Sequence, residues 1–399
     1  MRSCFKTLAT CTALLALSAG GAQAQETLKL GISAPMSGPA AGWGLGLQWV
    51  GQQTAKMINE SGGVKAGGKT YRFEVVAYDN KYNAAEGTKV AQTLLNRDGV
   101  RYIVASVGTA PVMALQSLTE RQGALLLTTA WGASVKGPKF PLTFTEVNTP
   151  TEVIPPLYGF IKQTHPNIRT VAMLNPNDAT GKETAAVARK VWESLGVKIL
   201  GSDWYERGTT EFQPIAGKIA ALKPDAVDLS SVPPGDAGIL FKELKVQGWS
   251  GVKLVAAGTS AEAMAKIGGE AVDGTYLGLS ADFDGPQATD IQRQLNKGIK
   301  AILGESMNSI HLSVYDAMMA LKAGMEAANS VEPKAIAEVL PKIVFDVSYG
   351  KMAFGAKDTY GSPQHMLLPA IVSQVQGGKL VELKRVPSAE LTKRLAEKK

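Results

Sequence analysis

From Thr27 onward the chain alternates between two hydrophobic periods. Leu28 to Ile32 reads as a buried strand, and Trp43 to Glu60 has helical spacing that stops at Ser61-Gly62-Gly63, where glycine accepts the left-handed backbone of a helix end. Phe73 to Tyr78 predicts a strand. Asn83 to Asn96 predicts a helix, with Ala84, Val90, Ala91, Leu94 and Leu95 recurring at three- and four-residue steps. Tyr102 to Ser106, Val112 to Arg121 and Leu125 to Thr128 continue as strand, helix and strand. Such a βαβα series predicts a parallel sheet with helices on both faces.

The rhythm restarts after Pro150. Helices are predicted over Val153 to Gln163, Lys182 to Leu195, Phe212 to Leu222 and Ala237 to Gln247. Strands are predicted over Thr170 to Asn175, Lys198 to Trp204, Ala226 to Ser231 and Leu254 to Ala257. Two α/β units of similar size therefore sit side by side. A third section departs from the pattern: a strand at Thr275 to Ser280, helices at Ala288 to Ile302, Ile310 to Ala327 and Glu332 to Leu340, then Lys351 to Phe354. A hairpin follows, Met366 to Gln374 and Leu380 to Lys384, turned through Gly377-Gly378. Helices arriving after both sheets are complete imply that the chain returns to the first unit. Crossings are expected near Thr145 to Thr149, Leu279 to Phe283 and Phe354 to Asp358. They divide the chain into a first lobe, 25–147 plus 281–355, and a second, 148–280 plus 356–399. Several crossings restrict motion to opening and closing about a cleft.

The first 24 residues change the compartment. Arg2 and Lys6 precede an apolar stretch from Leu8 to Ala19 and then Ala22-Gln23-Ala24, the layout of a secretory leader cleaved after Ala24. The stretch is shorter than the ~20 residues a bilayer span takes. Both cysteines, Cys4 and Cys11, lie in this leader, so the mature chain is expected to have no disulfide and no thiolate chemistry. Removing Arg2 and Lys6 takes the formal net charge from +7 to +5, and the basic residues are scattered, which argues against nucleic acid as a partner. The charge-dense tail, Lys393 to Lys399, reads as a frayed helical end.

Catalytic signals are weak. His165, His311 and His365 stand far apart, without a second His or a Cys at metal spacing. There is no G-x-S-x-G elbow and no Walker sequence, and Gly44-Leu45-Gly46 lacks the third glycine of a dinucleotide fingerprint. No enzyme activity, metal or cofactor is expected. The informative residues follow strand ends, where open α/β sheets bind ligands. They are Ala34-Pro35-Met36-Ser37-Gly38-Pro39 and Gly42-Trp43-Gly44, then Val107-Gly108-Thr109-Ala110, then Thr129-Ala130-Trp131-Gly132-Ala133. Small residues at helix starts let backbone N–H groups approach an anion. Trp43 and Trp131, both flanked by glycine, are read as loop residues that face a ligand.

With these residues the chain resembles the periplasmic leucine/isoleucine/valine-binding protein family, the type I solute-binding proteins of ABC transporters. Further matches are Ile58-Asn59 with Gly62-Gly63, Tyr78-Asp79, Gly181 opening a helix, and Tyr315-Asp316-Ala317. The resemblance implies an α/β fold of two Rossmann-like lobes with parallel central sheets joined by three hinge crossings. It implies a monomer that hands its ligand to a membrane permease. It assigns Trp43 to the cleft, the Thr109 hydroxyl to the ligand carboxylate after Gly108, and Ala130, Trp131 and Gly132 to a backbone grip on the same group. The family's acidic residue for a ligand amine falls in Ala256-Ala257-Gly258-Thr259, which contains no acid. Its tyrosine before the helix-opening glycine is Thr180 here, and its aromatic pair is Val232-Pro233. A buried ammonium without a carboxylate partner costs roughly 3–5 kcal/mol. The expected ligand is therefore a small carboxylate lacking an α-amino group, stacked on Trp43, Trp131 or Phe283. Asp178 and Asp282 stand as replacements for the missing acid, with a helix cap or turn as their other role. Three further readings stay open: a branched-chain or other hydrophobic amino-acid binder, a ligand-sensing subunit for a membrane receptor, and an exported α/β enzyme.

Overall fold

The computed structural model describes residues 25–397, so the leader and its cleavage after Ala24 lie outside the described residues. The first lobe is built from β1 (Glu26–Ala34), α1 (Ala41–Glu60), β2 (Val64–Ala66), β3 (Lys69–Asp79), α2 (Ala84–Gln92), β4 (Tyr102–Ser106), α3 (Thr109–Gln122), β5 (Leu125–Thr128) and β6 (Thr143–Thr145). The second follows as α4 (Pro150–Thr164), β7 (Thr170–Pro176), α5 (Ala179–Ser194), β8 (Lys198–Tyr205), α6 (Gln213–Ala221), β9 (Ala226–Asp228), α7 (Pro234–Val246), β10 (Val252–Val255), α8 (Ala261–Gly268) and β11 (Tyr276–Leu277). Then come α9 (Asp290–Leu303), α10 (Ser309–Ala328), α11 (Pro333–Val339), β12 (Phe345–Val347), β13 (Gly350–Met352), β14 (Phe354–Gly355), α12 (Lys357–Tyr360), β15 (His365–Met366), β16 (Ala370–Gln376), β17 (Lys379–Val386) and α13 (Ala389–Ala396).

The sheets run β14-β15-β6-β5-β4-β1-β3-β2 and β17-β16-β11-β10-β9-β7-β8. Each holds a block of five parallel strands that, counted along the chain, take the same order, 2-1-3-4-5, and β15 adds a sixth parallel strand beside β6 in the first sheet. Antiparallel strands close the outer edges: β2 on β3, β14 on β15, and the β16–β17 hairpin through Gly377-Gly378. Helices α1 and α10 cover one face of the first sheet and α2 and α3 the other, while α4 and α5 back the second sheet opposite α6, α7 and α8. Capping boxes set two starts beside crossings: Thr149 with Glu152 on α4, and Thr289 with Gln292 on α9.

The second-lobe core encloses one carboxylate. Asp228 at the end of β9 is fully buried and accepts from the Trp192 indole at 2.8 Å, the Ser230 N–H at 2.9 Å and the Tyr158 and Ser230 hydroxyls. Tyr158 and Trp192 stack at 4.2 Å, which ties α4 to α5 over this group. Saturated with donors, Asp228 is a packing element.

Two boundaries differ from the sequence expectation. The apolar run from Met366 onward is not one strand: β15 pairs with β6 in the first sheet, β16 belongs to the second, and Pro369 separates them. The third crossing is therefore Leu367 to Pro369, not Phe354 to Asp358, because β14 and β15 both complete the first sheet. The final helix also leaves the second lobe. Leu391 on α13 is buried, and Arg394 donates to the carbonyls of Phe354 at 2.8 Å and Pro341 at 2.6 Å, so the tail docks on the first lobe.

Candidate functional site

Each sheet reverses its strand order beside its first strand, and the crevice outside such a reversal is where α/β sheets hold ligands. The two reversals, β1/β4 and β7/β9, confront each other across the lobes. The loop after β1 is anchored by Asp79 at the end of β3, which accepts from Met36 N–H at 2.9 Å and Ser37 Oγ at 2.6 Å. Gly44 and Gly181 open α1 and α5 against the preceding strand; a Cβ at either would strike the carbonyl oxygen of Pro35 or Pro176. Gly108 turns the chain into α3 at φ 92°, a backbone conformation that needs glycine.

The starts of α3 and α5 meet at the centre. Thr180 Oγ1 donates to Thr109 Oγ1 at 2.8 Å, the Thr109 N–H donates to Thr180 Oγ1 at 3.2 Å, and the Gly132 N–H reaches Thr109 Oγ1 at 3.1 Å. Trp43, in the first turn of α1, donates its indole N–H to Thr259 Oγ1 at 2.8 Å, joining positions 216 residues apart on opposite lobes. Behind it His311 on α10 is fully buried with Nε2 2.9 Å from the Gly42 carbonyl oxygen, which fixes that turn; burial pushes the imidazole pKa down to about 4, so the ring is neutral. A cavity of about 510 Å³ opens beside Trp43, with Thr259, Asp236 and Glu305 in its wall. Hydroxyl–carboxylate bonds clasp the lobes around it: Ser260 to Glu305 at 2.7 Å, Ser306 to Glu262 at 2.5 Å and, farther along, Ser134 to Glu183 at 2.6 Å.

A second cluster lies alongside. The Tyr82 ring stands 6.3 Å from Trp43 and carries the Arg207 guanidinium 3.8 Å above it. Arg207 Nε donates to Asp178 Oδ2 at 2.5 Å, and Asp178 Oδ1 caps α5 by accepting the Gly181 N–H at 2.9 Å. Tyr82 has φ 55°, a left-handed backbone that an aromatic residue adopts only under constraint. The constraint is Asn80, fully buried, whose Oδ1 accepts the Tyr82 N–H at 2.9 Å while its Nδ2 bridges Ser33 O and Val107 O at the reversal between β1 and β4. The neighbouring Tyr205 hydroxyl donates to Asp236 Oδ2 at 2.8 Å, where burial raises the carboxyl pKa against that bond.

The structure thus gathers Trp43, Gly108, Thr109, Gly132, Asp178, Thr180 and Thr259 at the lobe interface. Trp43 is helical rather than in a loop. Ala130 is buried, but its N–H is already committed to Thr128 Oγ1 at 3.0 Å, whereas the buried Trp131 indole N–H has no acceptor. Val232 and Phe283, at 1% and 2% exposure, pack within hydrophobic clusters, Phe283 in the one that also holds Trp43 and Trp131. Asp178 is a cap and ion-pair partner, and Asp282 folds a turn by accepting the Asp284 N–H at 3.0 Å. Sequence reasoning missed Tyr82, Arg207 and Asp236. Tyr82 and Arg207 follow β3 and β8, the second parallel strand of each lobe, so the strand-end rule that found Thr109 extends to both. Among the described residues no group of three or more His, Cys, Asp and Glu is arranged for a metal ion.

A sequence profile of the Periplasmic binding protein family matches residues 27–379. The chain belongs to that family. This periplasmic binding protein is 24% identical over 336 residues to the leucine-, isoleucine-, valine-, threonine- and alanine-binding protein of Pseudomonas aeruginosa, covering 84% of this chain and 87% of that one. Its fold matches the leucine-binding protein LivK of Thermotoga maritima with a TM-score of 0.76 at 18% identity, over 91% of this chain and 100% of the other. It also matches an ABC-transporter solute-binding protein of R. palustris in complex with benzoate, TM-score 0.75 at 19% identity, over 91% and 97%. The two-lobed α/β architecture is thus the one expected from the sequence.

Proposed function

We propose that this protein captures a small carboxylate without an α-amino group between its lobes in the periplasm, after export, and delivers it by hinge closure to the permease of an ABC importer. One observation carries the choice of cargo: at the interface the buried polar atoms without partners are donors. The Trp131 indole N–H, the Arg207 Nη2 and the Asn175 amide nitrogen at the end of β7 all lack acceptors. The carboxylates around them are already committed, Asp178 to Gly181 and Arg207, Asp236 to Tyr205, Glu183 to Ser134. Unpaired donors favour an anionic ligand. The aromatic faces of Trp43 and Tyr82 support a flat cargo. The benzoate complex of the R. palustris relative is consistent with an aromatic acid, and the name of the P. aeruginosa relative with an amino acid.

Calorimetric titration with leucine, valine, benzoate and phenylpropenoate-type acids decides between them. Binding of an aromatic acid at least tenfold tighter than leucine is expected. Tight leucine binding without response to any aromatic acid would overturn the reading.

A further inference from the structure

In the small cavity where the crossings meet, the unpartnered buried atoms are acceptors instead. Glu146, in the first crossing, is fully buried and neither carboxylate oxygen has a donor. Asn148 donates Nδ2 to the Pro369 carbonyl at 2.8 Å, which turns its Oδ1 the other way, and that oxygen is also buried without a donor. Both residues line a cavity of about 20 Å³ together with Asp316 of α10. Gly278 and Leu279 from the second crossing and Pro369 from the third complete the wall, so all three crossings meet around it.

No Lys, Arg or His lines this cavity. The Ser313 hydroxyl lies within hydrogen-bonding reach of Glu146 and of the Ile310 carbonyl, 2.8 Å away, and its single proton serves one of them at a time. Asp316 accepts from the Ser348 N–H at 2.8 Å and hydroxyl at 3.0 Å. Tyr349 faces Asp316, and the nearest guanidinium, Arg385 over the Tyr349 ring at 5.7 Å, is held by both oxygens of Glu382 at 2.8 Å. Two carboxylates thus share a small desolvated space. Burial, then the Asp316 charge, pushes Glu146 well above the usual carboxylate range, and burial lifts Asp316 to about 7. One water molecule fits the volume but donates only two hydrogens, too few for the three unpartnered oxygens of Glu146 and Asn148. A hard dication meets carboxylate and amide oxygens together and matches their charge.

We propose that the hinge cavity binds a divalent, oxygen-seeking cation of the calcium type through Glu146, Asn148 and Asp316, and that the ion clamps the three crossings. The test uses the mature protein treated with EDTA, with thermal unfolding followed at pH 7.5 in CaCl2, MgCl2 or NaCl at matched ionic strength. Millimolar CaCl2 should raise the Tm by roughly 2–4 °C, and mass spectrometry after gel filtration should find one calcium per chain. Glu146→Gln and Asp316→Asn should each abolish the shift, and Glu60→Gln, on the surface, should keep it. If either hinge variant fails to fold, the other and the metal stoichiometry of the wild type still decide. No shift and no bound metal with any of the salts overturns the proposal. So does a shift that survives both substitutions, which places the ion elsewhere.

Discussion

The bond from Trp43 to Thr259 gives a direct handle on closure. Replacing Thr259 by valine keeps the shape of the side chain and removes the only acceptor of a buried indole N–H. Because the two residues belong to different lobes, the loss falls on the closed form; when the lobes part, water reaches both groups. An unsatisfied buried donor costs about 1–3 kcal/mol. The valine methyl recovers up to about 0.8 kcal/mol by apolar burial, so the net penalty is about 0.5–2 kcal/mol, or roughly 2- to 30-fold in the ratio of closed to open protein. Ligand binding draws on the same equilibrium, so Kd should rise by the same factor. Calorimetry with the tightest acid of the titration series measures it, and small-angle scattering of the ligand-saturated protein reports the residual open fraction. Thr259→Ser, which keeps the hydroxyl, should restore wild-type affinity. Unchanged affinity and scattering in Thr259→Val would show that the cross-lobe bond does not contribute to closure.

Two more outcomes follow from groups at and behind the cleft. Arg207→Gln removes a charged donor, worth about 1.5–3 kcal/mol to an anionic ligand; calorimetry should show roughly 10- to 150-fold weaker binding, and unchanged affinity would exclude Arg207 from the site. His311 has a folded pKa of about 4 against about 6.5 when unfolded. It costs nothing above pH 6.5, but between 6.5 and 4 the unfolded chain takes up a proton that the folded one refuses, and stability falls by about 1.4 kcal/mol per pH unit. In urea titrations at pH 7.5 and 5.0 the His311→Gln variant should therefore lose about 2 kcal/mol less than wild type; equal losses would mean the ring is protonated in the fold.

The alternating apolar pattern carried most of the architecture. Tyr102–Ser106 and Leu125–Thr128 are strands at the residues expected, since short apolar runs between turn signals leave little freedom. The third crossing was misread because Met366 to Val372 is one apolar run interrupted only by Pro369, and hydrophobicity alone does not tell which sheet a strand joins. The site divides in the same way. Thr109 and Gly132 were legible because small residues after strand ends have a local reason to be there. Tyr82 and Arg207 were not, because their importance lies in stacking on each other across the lobes. Val232 and Phe283 were named on the resemblance alone, and their packing in hydrophobic clusters is shared by Trp43 and Trp131. The orphaned acceptors of Glu146 and Asn148 have no sequence signature, since a buried carboxylate and an exposed one are written with the same letter.

Tyr82 and Arg207 occupy equivalent places in two half-molecules of the same strand order, one an electron-rich ring and the other a cation. The lobe interface is therefore chemically asymmetric even though its framework is nearly symmetric: each half supplies one member of a single stacked pair, so parting the lobes separates ring from cation.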